Sequence, residues 1–155
     1  MAYSAYITEQ INIQIQETNP MALLEWTKEA FGTNVSKADE QHQQIFAMVN
    51  GLHESLGSGD RQAIGRQLDA LIDYVAMHFK TEEDLMQAHG YPEFEAHKAE
   101  HDNLVQTCLD VQKKFHAGAI DITPETTTFV KDWLVKHIPN VDKHYGPFLN
   151  SKGIA

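Results

Sequence analysis

Apolar residues recur at three- and four-residue intervals along four long stretches of the chain, with polar residues between them. That spacing keeps one face of an α-helix apolar and the other wet. The first stretch, about 37–56, carries Ala38, Ile45, Phe46, Val49, Leu52 and Leu56 on its stripe. Ser36, with Asp39 three residues on, reads as a capping box at its start. The second, about 61–88, carries Ile64, Leu68, Leu71, Val75 and Leu85, with Asp60 to cap it and Gly90 to stop it. The third, about 93–116, carries Phe94, Leu104, Cys108, Val111 and Phe115, and Gly118 ends it. The fourth opens at Thr123-Pro124, where a proline lacking N–H costs nothing, and carries Val130, Trp133, Leu134 and Ile138. Pro139 should break or kink it, and a short helix through Phe148 follows.

Short loops between long amphipathic helices predict an all-α protein, an up-down-up-down four-helix bundle. Residues 1–20 read differently. Ile7, Ile11, Ile13 and Ile15 partly alternate with polar residues, as in a strand, but the helical remainder offers no partner strand. They read as an N-terminal extended arm, and residues 21–155 as one bundle domain ending in the short C-terminal helix.

Each stripe is interrupted by groups that do not belong in a core. His42 stands on the first. His78 and Glu82 stand on the second and His97 and His101 on the third, both pairs at i, i+4. His137 stands on the fourth, with Asp142 five residues later. An i, i+4 pair stacks one turn apart, roughly 6 Å along the axis, on one face. One such pair is common on exposed helices. Together, from four helices, these groups would be buried orphans, each costing several kcal/mol, unless a cation receives them. On an uninterrupted helix Asp142 would point about 140° away from His137. An interruption at Pro139 removes that objection.

Five imidazoles and two carboxylates are too many for one tetrahedral zinc. Mixed nitrogen and oxygen donors suit two six-coordinate ions, iron or manganese. If both carboxylates and one solvent-derived oxygen bridge the pair, a single position on one ion stays open for a small molecule. Phe46, Phe79, Trp133, Leu134 and Ile138 are placed to keep such a position dry.

Composition narrows the field further. A formal net charge of −10 argues against nucleic acid and against docking on anionic lipid. No window approaches 18 uninterrupted apolar residues, and the N-terminus lacks the basic and apolar regions of a secretory signal, so a cytoplasmic protein without membrane insertion is expected. The single cysteine, Cys108, permits no internal disulfide and reads as a small core residue. Of the nine histidines, His53, His89, His116 and His144 complete no ligand pattern and read as surface or structural. Asp39 is a candidate to orient His42.

The pattern His42, H78-x-x-x-E82, H97-x-x-x-H101, H137-x-x-x-x-D142 resembles the hemerythrin family, specifically its single-domain bacterial members. DEQH ending at His42, HFKTEE starting at His78, GYP before the third helix and WLVKHI before Asp142 fit as well, and the resemblance spans about Trp26 to Phe148. Many such members begin near the equivalent of Trp26, so the residues before it are extra. The resemblance implies two non-haem iron ions bridged by Glu82, Asp142 and a solvent-derived oxo or hydroxo group. It implies His97, His101 and His137 on one iron, and His42 and His78 on the other, which keeps the open position. It implies reversible dioxygen binding for storage, transport or delivery, with no protein recipient named by the sequence. The alternatives are a di-iron redox enzyme acting on peroxide, nitric oxide or O2, for which Tyr74 and Tyr145 are candidate acid–base groups, an O2 or redox sensor, and a purely structural or storage metal bundle. The histidine-rich donor set favours reversible binding, because neutral ligands leave more positive charge on the metals and discourage high oxidation states.

Overall fold

Every long apolar stripe folds as a helix facing a shared interior. The computed structural model describes residues 22–155, so the arm expected over residues 1–20 lies outside the described residues. A short helix, α1 (Lys28–Phe31), precedes four long ones: α2 (Ser36–Ser55), α3 (Arg61–Ala88), α4 (Phe94–His116) and α5 (Pro124–His137). A single π-helical turn, Ile138–Asp142, leads into α6 (Lys143–Ser151). Helix α2 packs on α3, α3 on α4, and α2 again on α5, which closes a four-helix bundle, with no strand among the described residues.

The helix ends follow local chemistry. Asp60 Oδ1 accepts from the N–H groups of Gln62 and Ala63, both at 3.1 Å, and opens α3. Thr123 and Thr126 form a reciprocal capping box ahead of α5, with Pro124 in the first turn. Gly90 and Gly118, at φ 71° and 76°, turn the chain after α3 and α4 where a side chain would be strained. Helix α2 departs from the expected start. Val35 is the capping residue and makes no side-chain cap, while Ser36 is already helical. Asp39 instead accepts from both the N–H and the hydroxyl of Thr33, each at 2.8 Å, and pins the preceding loop. Asn50 clasps Leu24 through both its backbone groups, at 2.8 Å each, so the segment before α1 lies on α2.

Pro139 does not break the chain's helical course. His137 through Lys143 keep right-handed helical angles, and the turn widens to a π turn. Such a turn takes in one extra residue before it closes. Asp142, which an α-helix would send away from His137, is thereby returned to the same face. Asn140 Nδ2 donates to the carbonyl of Lys136 at 2.7 Å, holding one of the loosened carbonyls.

The apolar core runs the length of the bundle: Ile45, Phe46, Val49 and Leu52 meet Leu68, Leu71, Ile72, Val75 and Phe79, with Leu104, Phe115, Leu134 and Ile138 opposite. A second cluster of Val35, Ala38, Met86, Tyr91, Tyr145 and Leu149 seats α6 against the other end. The polar layer lies among these residues.

Candidate metal centre

Seven polar side chains share one buried layer. His42, His78, Glu82, His97, His101, His137 and Asp142 are each 1–3% exposed. They fall into two groups whose donor atoms lie within 4.8 Å of one another. One group is His97, His101, His137 and Asp142, and the other is His42, His78, Glu82 and Asp142. Asp142 belongs to both. Its Oδ1 lies 3.0 Å from His97 Nε2 and 2.9 Å from His137 Nε2, and its Oδ2 lies 3.0 Å from His42 Nε2. Glu82 Oε1 touches His78 Nε2 and stands 3.8 Å from His42 Nε2. Glu82 is grouped with His42 and His78 alone among the histidines.

These short distances are not hydrogen bonds. Nε2 of His42, His97, His101 and His137 and both oxygens of Glu82 and of Asp142 are buried with no partner of acceptable geometry. Buried polar atoms are nearly always satisfied, so a convergent set of orphaned lone-pair donors fits cations held between them. The electrostatics agree. Burial alone would depress His42, but the Asp142 carboxylate, 3.0 Å from its Nε2, and the nearby Glu82 carboxylate outweigh it and raise its pKa to about 10. Burial would raise Glu82 and Asp142, yet the surrounding imidazoles hold both below the ordinary carboxylate range. His101 goes the other way, pushed down to about 3, chiefly by burial, with Glu82 opposing and His97 adding to the fall. Its lone pair is free at neutral pH. The two carboxylates draw positive charge into the layer, and His101 presents a neutral nitrogen to it.

Outside this layer a second set of side chains holds three of the rings. His78 Nδ1 lies 2.7 Å from Gln41 Oε1. The Gln41 amide is itself oriented, because its Nε2 donates to Thr81 Oγ1 at 3.3 Å. His101 Nδ1 lies 3.0 Å from Glu83 Oε1, and His137 Nδ1 lies 2.8 Å from Glu100 Oε2. Burial raises the Glu83 carboxyl, with Lys98 opposing the rise. Each acceptor fixes the proton on Nδ1 and leaves Nε2 bare for the interior. His42 Nδ1 and His97 Nδ1 have no such partner. The residue pattern did not single out Gln41, Glu83 or Glu100. Each adjoins a stripe residue and looks like solvated helix surface, and only cross-helix packing reveals its role.

Aromatic rings plate the three-histidine group. Phe79 stacks on His101 with centroids 3.7 Å apart, Trp133 on His137 at 4.1 Å, and Tyr145 on His97 at 5.8 Å. The Tyr145 hydroxyl is buried without a partner, and burial with the nearby carboxylates raises its pKa well above the usual phenol value. Phe46, Leu134 and Ile138 are buried in the common core. Phe79 and Trp133 therefore lie on His101 and His137, although Phe79 also comes within 5.8 Å of His78. The other histidines stay apart from this layer. His53 meets Thr127 Oγ1 at 2.7 Å and His116 pairs with Asp69 at 2.7 Å.

Comparison with known proteins agrees with this geometry. Residues 33–149 match the family described as the hemerythrin HHE cation binding domain. The chain is 62% identical to a bacteriohemerythrin of Methylococcus capsulatus over 131 residues, 84% of this chain and all of the relative. It is 37% identical to a bacteriohemerythrin of Stenotrophomonas maltophilia over 125 residues, 81% of this chain and 80% of that one. A crystal structure of wild-type hemerythrin superposes with a TM-score of 0.82 at 62% identity, covering 83% of this chain and 98% of the other.

Proposed function

Because this chain belongs to the hemerythrin family, we propose that it binds dioxygen reversibly at a non-haem di-iron centre, as a protein of O2 storage, transport or delivery rather than an enzyme. The observation that carries this reading is the convergence of buried donor atoms from five histidines and two carboxylates on one layer of the bundle, those of four of the histidines and of both carboxylates being orphaned.

In this reading His97, His101 and His137 hold one ion, and His42 and His78 hold the other. Asp142 bridges them, a role supported by its two oxygens facing different histidines. Glu82 is the second protein bridge, and a solvent-derived oxo or hydroxo group is the third. When bound, the iron pair supplies electrons and one open coordination position for O2. The chain's own residues do the rest. Gln41, Glu83 and Glu100 keep protons on the Nδ1 atoms, so each Nε2 points inward as a lone-pair donor. The π turn sets Asp142 on the face of His137. Phe46, Phe79, Trp133, Leu134 and Ile138 wall the layer with carbon. A dry wall strengthens the electrostatics within and keeps bulk water from displacing the ligand. Among the described residues no helix is long and apolar enough to cross a membrane.

The test is optical. Anaerobic ferrous protein exposed to air should gain a charge-transfer band that vanishes when oxygen is removed. Rapid irreversible oxidation or sustained turnover of O2 or peroxide would favour the enzyme reading. His78→Ala should lose iron or the band, and full retention of both would refute the ligand assignment.

A further inference from the structure

The side chains behind the histidines differ in charge between the two groups. In the three-histidine group, His101 and His137 each meet a carboxylate, Glu83 at 3.0 Å and Glu100 at 2.8 Å. In the other group, His78 meets the neutral amide of Gln41 at 2.7 Å, and His42 Nδ1 meets nothing. The asymmetry comes from three different elements. Glu83 lies on α3, Glu100 on α4 and Gln41 on α2.

A carboxylate that accepts the Nδ1 proton draws it partly away and makes the opposite nitrogen a stronger donor. A stronger donor favours the more positive state of the ion it holds. A neutral amide oxygen orients the ring but adds no charge. We infer that Glu83 and Glu100 are positioning residues that set the two irons electrically apart, holding the ion of His97, His101 and His137 at the lower reduction potential, so that it yields the first electron. This rests on the di-iron reading above. In the one-electron step, one electron passes from that ferrous ion to an added oxidant such as ferricyanide and leaves it ferric, while the ion of His42 and His78 stays ferrous. The latter is the ion to which the open position is assigned. Glu83 is 20% exposed and Glu100 50%, so solvent screens Glu83 less and its effect is the larger.

The experiment is a potentiometric titration of the iron-loaded protein at neutral pH, read by Mössbauer and electron paramagnetic resonance spectroscopy. Glu83→Gln and Glu100→Gln keep a hydrogen-bond acceptor and remove the charge. Each should raise the midpoint of the first oxidation, Glu83→Gln by more, and Glu83→Asp should restore part of the shift. Gln41→Glu adds a carboxylate behind His78 and gives up only the amide's donation to Thr81 Oγ1 and Met77 Sδ, so it should lower a midpoint and draw ferric character toward the other ion. Unmoved midpoints in both Gln variants, with two irons per chain retained, would overturn the inference and leave the glutamates merely structural. Should Glu83→Gln fail to hold iron, the Gln41→Glu variant decides, and an unshifted midpoint there overturns it equally. Wild-type protein that fails to hold two irons per chain would instead sink the di-iron reading itself.

Discussion

Gly146 sits inside α6, where replacing glycine with alanine ordinarily stabilises a helix by about 1 kcal/mol. Here the sign should reverse. A Cβ added at Gly146 would lie 2.1 Å from the carbonyl oxygen of Thr33 and 3.3 Å from its carbonyl carbon. Neither side can give way by turning a side chain, because the obstacle is backbone. Thr33 is buried and held by two bonds to Asp39, each 2.8 Å. Helix α6 would have to retreat by about 1 Å, and Tyr145 and Asp142, just before it, would move too. Overpacking of this kind costs about 1–3 kcal/mol, and so close an approach to backbone belongs at the upper end. After the helix-propensity gain, a net loss of about 2 kcal/mol remains, or roughly 4–8 °C in melting temperature for a chain of this size. Gly51→Ala is the matched control. It lies in α2, and its nearest neighbour would be the free end of Gln67, at 3.6 Å. It should gain up to about 1 kcal/mol, or roughly 2–4 °C. Thermal melts of both iron-loaded variants by circular dichroism, with iron per chain measured alongside, make the test. Gly146→Ala should melt lower and retain less iron because Asp142 is displaced. A Gly146→Ala protein as stable as wild type would mean that α6 does not rest on the Thr33 loop.

Burial raises the Cys108 thiol to about 11, so at pH 8 only on the order of 0.1% is thiolate. Reaction with a disulfide reagent should be slowed by orders of magnitude until denaturant is added, and free-thiol kinetics in the folded protein would contradict this placement. Asp60→Ala removes the acceptor for two α3 amides and should cost about 1 kcal/mol in urea unfolding. A cost near zero would mean that solvent caps the helix as well. Burial alone would raise the Asp69 carboxyl, but His116 and Gln112 hold it below its usual value. Its contribution is therefore full above about pH 4, where the unfolded group ionises, and is lost as pH falls through the lower folded value. Asp69→Asn should cost under ~1 kcal/mol at pH 7, and the gap from wild type should close as pH drops below about 4. A gap that persists unchanged would rule out the ionised carboxylate as its source. Gln41→Leu leaves His78 Nδ1 without its acceptor and should weaken iron retention by about 10–100-fold against a chelator, and undiminished retention would show that the amide does not orient the ring.

Helices were legible in the sequence because periodicity and capping are local. The stripes from Ile45 to Leu52 and from Leu68 to Phe79, Asp60 ahead of α3, and Thr123-Pro124 ahead of α5 all read directly. The interruptions of those stripes named the side chains that the structure gathers into one layer. What failed to read was set by neighbours or by backbone detail. Ser36 and Asp39 satisfy a capping pattern, yet Thr33 competes for the Asp39 carboxylate and wins. Pro139 announces a lost N–H but does not say whether the helix breaks or widens. The chain widened, and a π turn did what a break had been expected to do. Glu100 directly precedes His101 but serves His137 on another helix, a pairing that no spacing along one chain encodes.

A two-ion centre shared through Asp142 would show itself in anomalous scattering at the iron edge from crystals of the iron-loaded protein. Two iron peaks per chain are predicted, one beside His42 and His78, the other among His97, His101 and His137, with the Asp142 carboxylate touching both. A single peak, or an Asp142 that reaches only one iron, would contradict it.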